Sequence, residues 1–201
     1  MGSMIQVSLR APVARIITPL CRALLRMGIT ANSMTILGAI GTCASSALLI
    51  ARGHLFAGSL VVTAFVLTDL FDGTMARLSS SGGSSWGALL DSTMDRISDA
   101  AILGSLIFWL DKSRDHLISV VAVALIAGQL VSYIKARAES LDIECNGGIA
   151  ERTERLIIAL VAIGFAGLGV HYILAIGFWV LAALSTVTVG QRLVIVYRAT
   201  R

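Results

Sequence analysis

Charged side chains are scarce in this chain. Asp, Glu, Lys and Arg make up 14% of its 201 residues, against about a quarter in an ordinary soluble domain. Hydrophobic residues make up 56%, and mean hydropathy is +0.85. A surface wetted mainly by water is excluded, and lipid is the expected solvent for most of it. Only two prolines occur, Pro12 and Pro19, both near the start. The three cysteines, Cys21, Cys43 and Cys145, lie far apart without CxxC or CxxH spacing. Neither a zinc site nor a disulfide framework is supported, and the thiols read as small apolar side chains. His54, His116 and His171 are scattered near predicted span ends and read as interfacial. No repeat or low-complexity tract stands out. No short apolar run with a small-residue cleavage site opens the chain, so no signal peptide is expected. Residues 1–3 read as a cloning remnant ahead of Met4, and the length suits one domain, 4–201.

What is present is a series of apolar runs, each near the ~20 residues a spanning helix needs. The expected fold is an all-α integral membrane protein with six transmembrane helices, at about 33–51, 56–78, 87–110, 116–136, 154–170 and 172–191. With the N-terminus inside, thirteen Lys and Arg residues fall on the cytoplasmic side and three, Arg52, Lys112 and Arg114, on the other. That asymmetry sets the orientation and returns the C-terminus to the cytoplasm. Ahead of the spans, residues 9–27 place Arg15, Arg22 and Arg26 at helical spacings, with Ile16, Ile17, Leu20, Leu24 and Leu25 on the other side. An amphipathic helix lying in the headgroup plane is expected there, with Pro12 and Pro19 permitting a start and a kink.

Four aspartates break this pattern: Asp69, Asp72, Asp91 and Asp95, inside the second and third expected spans. Asp69 and Asp72 are three apart and Asp91 and Asp95 four apart, so each pair shares a helix face. If 56–78 and 87–110 form a hairpin closed by the Ser/Gly stretch at 79–85, the pairs lie level, in tiers about 8 and 13 Å below the cytoplasmic helix ends. Each central Asp costs about 2.5–3.5 kcal/mol to insert, and mutual repulsion adds to this. Arg77 and Arg96 cannot balance four anions. A divalent ion fits better, and an all-carboxylate set suits Mg²⁺, Mn²⁺ or Ca²⁺ rather than zinc; four carboxylates could hold a pair of ions. Gly73, Ala76 and Gly87 are small enough to leave room for a ligand. Asp99 continues the spacing one turn deeper, and no metal is assigned to it. The competing readings are helix caps, ion pairs with arginine, or a plain turn at Asp72-Gly73.

At these residues the chain resembles the CDP-alcohol phosphotransferase family, whose signature is DxxDGxxAR, a spacer, then GxxxDxxxD. Here it reads Asp69, Asp72, Gly73, Ala76, Arg77, then Gly87, Asp91, Asp95, with a nine-residue spacer. The span layout and amphipathic N-terminal helix are similar too. The resemblance implies transfer of a phosphatidyl-type group from a CDP-linked lipid to an alcohol, with release of CMP. It implies that Asp69, Asp72, Asp91 and Asp95 bind two divalent ions, Mg²⁺ with Mn²⁺ as the other candidate, and that Asp95 is the general base. It further implies CDP-diacylglycerol contacts at Gly73, Arg77, Ser84 and the stretch Asn32, Ser33, Met34 and Thr35. In that stretch, Asn32 or Ser33 as a helix N-cap is the competing reading. A homodimer in a bacterial inner membrane, with a cytoplasmic active site, is implied as well. Gly164, Gly167 and Gly169 are candidates for its interface.

Lys135, Arg137, Arg152 and Arg155 cluster on the expected cytoplasmic side. A phosphorylated acceptor would require such a group; ordinary positive-inside anchoring explains the charge equally well. Glu139, Glu151 and Glu154 are interleaved, so this is no simple basic patch. "SYIKARAE" and "ERLII" are similar to the actinobacterial phosphatidylinositol-phosphate synthases of the family. That resemblance implies inositol phosphate as acceptor and phosphatidylinositol phosphate as product. Glycerol 3-phosphate, as in phosphatidylglycerophosphate synthases, is the alternative acceptor. A cation or proton transporter is the reading from a different class, since intramembrane carboxylates mark those too; against it, the charges gather on one side.

Overall fold

A computed structural model describes residues 17–78, 84–145 and 147–201. Helix α1 covers residues 17–26, within the interfacial helix expected at 9–27; residues 9–16 of that stretch lie outside the described residues. There follow α2 (Ala31–Ser45), which runs on through a π-helical turn (Ser46–Ile50), α3 (Leu55–Val66), α4 (Asp69–Leu78), α5 (Ser85–Asp111), α6 (Leu117–Glu139), α7 (Arg152–Gly167) and α8 (Ile173–Ala199). No strand occurs among the described residues. The all-α expectation holds.

Helix α2 packs on α5, α3 on α7, and α6 on α8. Their shared core is apolar, with Ile50, Val62, Leu106, Leu110, Val121, Ile163 and Phe178 all but fully buried. The outer faces are greasy as well: Leu60, Phe108, Ile126 and Trp179 are each more than half exposed. This inside-and-outside apolarity is what a lipid-embedded bundle shows. The three cysteines are unpaired, as expected. Cys21 is buried against α4, its thiol donating to the Phe71 carbonyl at 3.7 Å.

Among the described residues, four stretches are long and apolar enough to cross a membrane: Ala31–Ile50, Leu55–Leu78, Leu117–Glu139 and Ile173–Ala199. The other two expected spans are helical but differ in physical character. Helix α5 has 27 residues but carries Asp91, Asp95, Arg96 and Asp99 between its start and its middle. Helix α7 has 16 residues, about 24 Å at the α-helical rise, short of a hydrocarbon core of about 30 Å.

One further expectation is corrected. The second expected span is not one helix: the chain breaks at Leu67-Thr68 and restarts at Asp69. The Thr68 hydroxyl donates to the Phe65 carbonyl at 2.6 Å, and Leu70 N and Phe71 N bond three residues back rather than four. A serine or threonine bonding back onto its own helix competes with the helical ladder. Asp69 and Asp72 therefore occupy the first turn of α4, where the helix dipole favours negative charge. Two residues of the glycine run serve a contact within the chain. A Cβ at Gly164 would come within 2.7 Å of Ser59 Oγ, and one at Gly167 would overlap the Phe56 backbone. These two glycines let α7 lie close on α3 of the same chain.

Candidate active site

Helix α4 and the start of α5 converge on the N-terminal half of α2. One carboxylate oxygen each from Asp69, Asp72 and Asp91 lies within 4.8 Å of the others. Asp72 is buried, and the Thr35 hydroxyl donates to its Oδ2 at 2.7 Å. Beside this triad opens a cleft of about 400 Å³, lined by Asn32, Thr35, Gly73, Ser84 and Gly87 among others. The fit at position 87 is tight: an added Cβ would sit 3.2 Å from Asn32 Oδ1 and 3.3 Å from Ser84 Oγ. Over Gly73 the space is open, since a Cβ there would meet only Arg77 Nη1, at 3.8 Å.

The caps are built differently from the sequence expectation. Thr30, not Asn32 or Ser33, caps α2, its hydroxyl accepting from Ser33 N at 3.2 Å. That frees Asn32 to line the cleft, whereas Ser33 is tied to Thr30, the two hydroxyls 2.9 Å apart. Ser84 caps α5, accepting from Gly87 N at 3.0 Å, and also lines the cleft. Met34 is partly buried, outside the cleft lining. Arg77 is exposed at the end of α4, its guanidinium donating to Thr74 Oγ1 at 3.1 Å.

Asp95 is outside the group of three but lines a small cavity together with Asp69 and Asp72. Its Oδ1 is 2.8 Å from Arg152 Nη1 and its Oδ2 3.4 Å from Arg96 Nη2. Arg152 also reaches Asp69 at 3.5 Å and, through Nε, Asp99 at 3.3 Å. Arg155 faces the other oxygen of Asp99 at 3.9 Å. Of the four basic residues expected together, Arg152 and Arg155 thus meet over Asp99. Lys135 instead pairs with Glu139 at 3.9 Å, and Arg137 donates to Ser140 Oγ.

The network that aims Arg152 was missed by sequence reading. Helix α8 holds the loop ahead of α7 with three residues on one face, at i, i+3 and i+4. Thr188 Oγ1 accepts from Ala150 N, Gln191 Oε1 accepts from Ile149 N, and Arg192 Nε donates to Gly147 O at 2.9 Å. Arg155 Nη1 adds a bond to Ala150 O at 3.1 Å. Gly148 adopts φ +133, and a Cβ there would overlap Thr188. Arg192 is buried and also donates to the Val131 carbonyl of α6. The available signal was a lone arginine inside the apolar run "GQRLVIV", which read as one more cytoplasmic charge.

The sequence profile of the CDP-alcohol phosphatidyltransferases matches residues 28–190. The chain belongs to that family. A phosphatidylinositol phosphate synthase of Mycobacterium marinum is 44% identical over 193 residues, covering 94% of this chain and 82% of the relative. The crystal structure of Mycobacterium tuberculosis phosphatidylinositol phosphate synthase with CDP-DAG bound superposes with a TM-score of 0.87 at 44% identity, covering 91% of this chain and 94% of that one. The same enzyme in complex with manganese and citrate superposes with a TM-score of 0.85 at 42% identity, covering 90% and 88%. As a CDP-alcohol phosphatidyltransferase the chain is a transferase of phospholipid biosynthesis, and its acid triad and the cleft residues Asn32, Thr35, Gly73, Ser84 and Gly87 fall within the matched region.

Proposed function

We propose that this CDP-alcohol phosphatidyltransferase moves the phosphatidyl group of CDP-diacylglycerol to inositol phosphate, giving phosphatidylinositol phosphate and CMP. The observation that carries the reading is the convergence of Asp69, Asp72 and Asp91 beside a cleft with Asn32, Gly73 and Ser84 in its wall. The relatives named for this activity, one of them holding CDP-DAG, support it.

The triad fits a hard divalent ion. Three carboxylate oxygens lie within reach of one centre, and they are of the kind that suits Mg²⁺ or Mn²⁺. Asp69, Asp72 and Asp91 would hold it, with Asp95 the candidate fourth ligand and a second ion as its complement. When bound, such ions neutralise the donor pyrophosphate and the charge developing on the leaving phosphate. The chain's own residues do the rest. Thr35 fixes the rotamer of Asp72. Asn32 and Ser84 orient the cytidine end, the open space over Gly73 admits it, and Arg77 pairs with a donor phosphate. Asp95 takes the proton of the attacking hydroxyl. The alcohol oxygen bonds to the phosphorus that carries diacylglycerol, the bond from that phosphorus to the CMP oxygen breaks, and CMP leaves. Arg152 and Arg155 offer cationic groups to the acceptor phosphate, with Lys135 and Arg137 farther out.

The reading includes six spans, with α5 and α7 crossing beside the four apolar stretches. It places α1 in the headgroup plane, both termini and the site on the cytoplasmic side of a bacterial inner membrane, and two chains in a homodimer. The test is CMP release from CDP-diacylglycerol in detergent, with inositol phosphate and glycerol 3-phosphate as parallel acceptors. Turnover with inositol phosphate alone is expected. Turnover with glycerol 3-phosphate alone would reassign the acceptor, and turnover with neither would overturn the proposal.

A further inference from the structure

The arginine that opens α7 lies beside the carboxylate triad. Arg152 Nη1 lies 2.8 Å from Asp95 and 3.5 Å from Asp69, while its Nε lies 3.3 Å from Asp99. Asp69 therefore belongs both to the carboxylate triad and to the arginine cage. The guanidinium is four-fifths buried and is held by a loop pinned to α8 at three points. Such a cation is placed by construction rather than by chance pairing at a surface. Its fork geometry lets one nitrogen stay on Asp99 while another is exchanged.

We propose that Arg152 is a built-in counter-cation that competes with the divalent ion for the acid cluster, and that Asp99 is the positioning residue that receives it when the ion arrives. This rests on the metal reading above. In the ion-free protein the guanidinium offsets the repulsion among Asp69, Asp95 and their neighbours. Loading of the triad raises the positive charge next to Nη1 and drives it off Asp69 and Asp95. The Nε–Asp99 contact keeps Arg152 near the site instead of releasing it. Asp95, no longer tied to a guanidinium, becomes free to accept the hydroxyl proton. Metal uptake and release of the base are one event.

The test is equilibrium binding of Mn²⁺ to the purified protein in detergent without substrate, with free Mn²⁺ read by electron paramagnetic resonance. Arg152→Gln is expected to bind Mn²⁺ at least about tenfold more tightly than wild type, because one adjacent unit charge is removed from a partly buried site. Asp99→Asn is expected to weaken binding by about tenfold, since Arg152 then has only the site carboxylates to hold. In the Arg152→Gln background, Asp99→Asn is expected to have no effect. A general loss of negative potential would weaken both backgrounds alike, so the cycle separates the two explanations. Should Arg152→Gln not fold, Arg152→Lys serves: its single nitrogen replaces the two, Nη1 and Nε, that hold Asp95 and Asp99 separately, so binding tightens and the Asp99→Asn effect shrinks. Equal or weaker Mn²⁺ affinity in the Arg152 variants, or an Asp99→Asn loss that persists without Arg152, overturns the proposal. Wild-type protein that binds no Mn²⁺ overturns the metal reading itself, and this one with it.

Discussion

Replacing Thr35 with Val tests whether the acid triad works as an aligned unit. The change swaps the hydroxyl for a methyl of similar size, so packing in α2 is kept. The hydroxyl is 2.7 Å from Asp72 Oδ2 and 3.2 Å from the Ala31 carbonyl of its own helix. The carbonyl keeps its helical bond; the carboxylate, buried at 7% exposure, loses this one. A hydrogen bond to a charged group contributes about 1.5–3 kcal/mol, which at about 1.4 kcal/mol per decade is roughly ten- to a hundredfold. Outer partners of metal ligands carry about the same, ten- to a hundredfold in affinity. Thr35→Val is therefore expected to weaken Mn²⁺ binding by about tenfold or more, with Thr35→Ser restoring most of it. In the Asp72→Asn background, Thr35→Val is expected to add little, because the partner is already altered. Wild-type Mn²⁺ affinity in Thr35→Val, or a full additional loss on top of Asp72→Asn, would refute the reasoning.

Three further outcomes are expected. Asp95→Asn lowers kcat for CMP release by about a hundredfold or more and leaves CDP-diacylglycerol binding within a few-fold; full activity would remove the base assignment. Gly73→Val, whose side chain projects into open cleft rather than into the core, raises KM for CDP-diacylglycerol with little change in melting temperature. Arg155→Gln raises the KM for inositol phosphate well above any change for the lipid donor; an equal rise in both would assign Arg155 to the loop it braces at Ala150 instead of to the acceptor.

The acid motif was legible in the sequence because its information is local. Asp69 and Asp72, and then Asp91 and Asp95, share faces by spacing alone, and small residues beside them announce a cavity. The all-helical character followed from the apolar runs for the same reason. The break before Asp69 was not legible: Leu67-Thr68 contains neither Gly nor Pro, and the Thr68–Phe65 bond that interrupts the ladder is a choice of rotamer. Nor was the pairing of Asp95 with Arg152. It depends on a residue 57 positions later in the chain, and on Thr188, Gln191 and Arg192 at the far end holding the intervening loop. Gly164 and Gly167 matched a helix-contact pattern correctly, but sequence does not say whether the partner helix belongs to the same chain. Thr30 took the cap rather than Asn32 or Ser33: all three carry a side-chain oxygen able to cap, and spacing alone does not choose among them.

The most direct test of the central claim is CMP release by purified protein given CDP-diacylglycerol and inositol phosphate, with and without Mg²⁺, comparing wild type with Asp72→Asn. The account predicts release that needs Mg²⁺ and falls to background in Asp72→Asn. Release that persists after the divalent ion is chelated, or that matches wild type in Asp72→Asn, would contradict it.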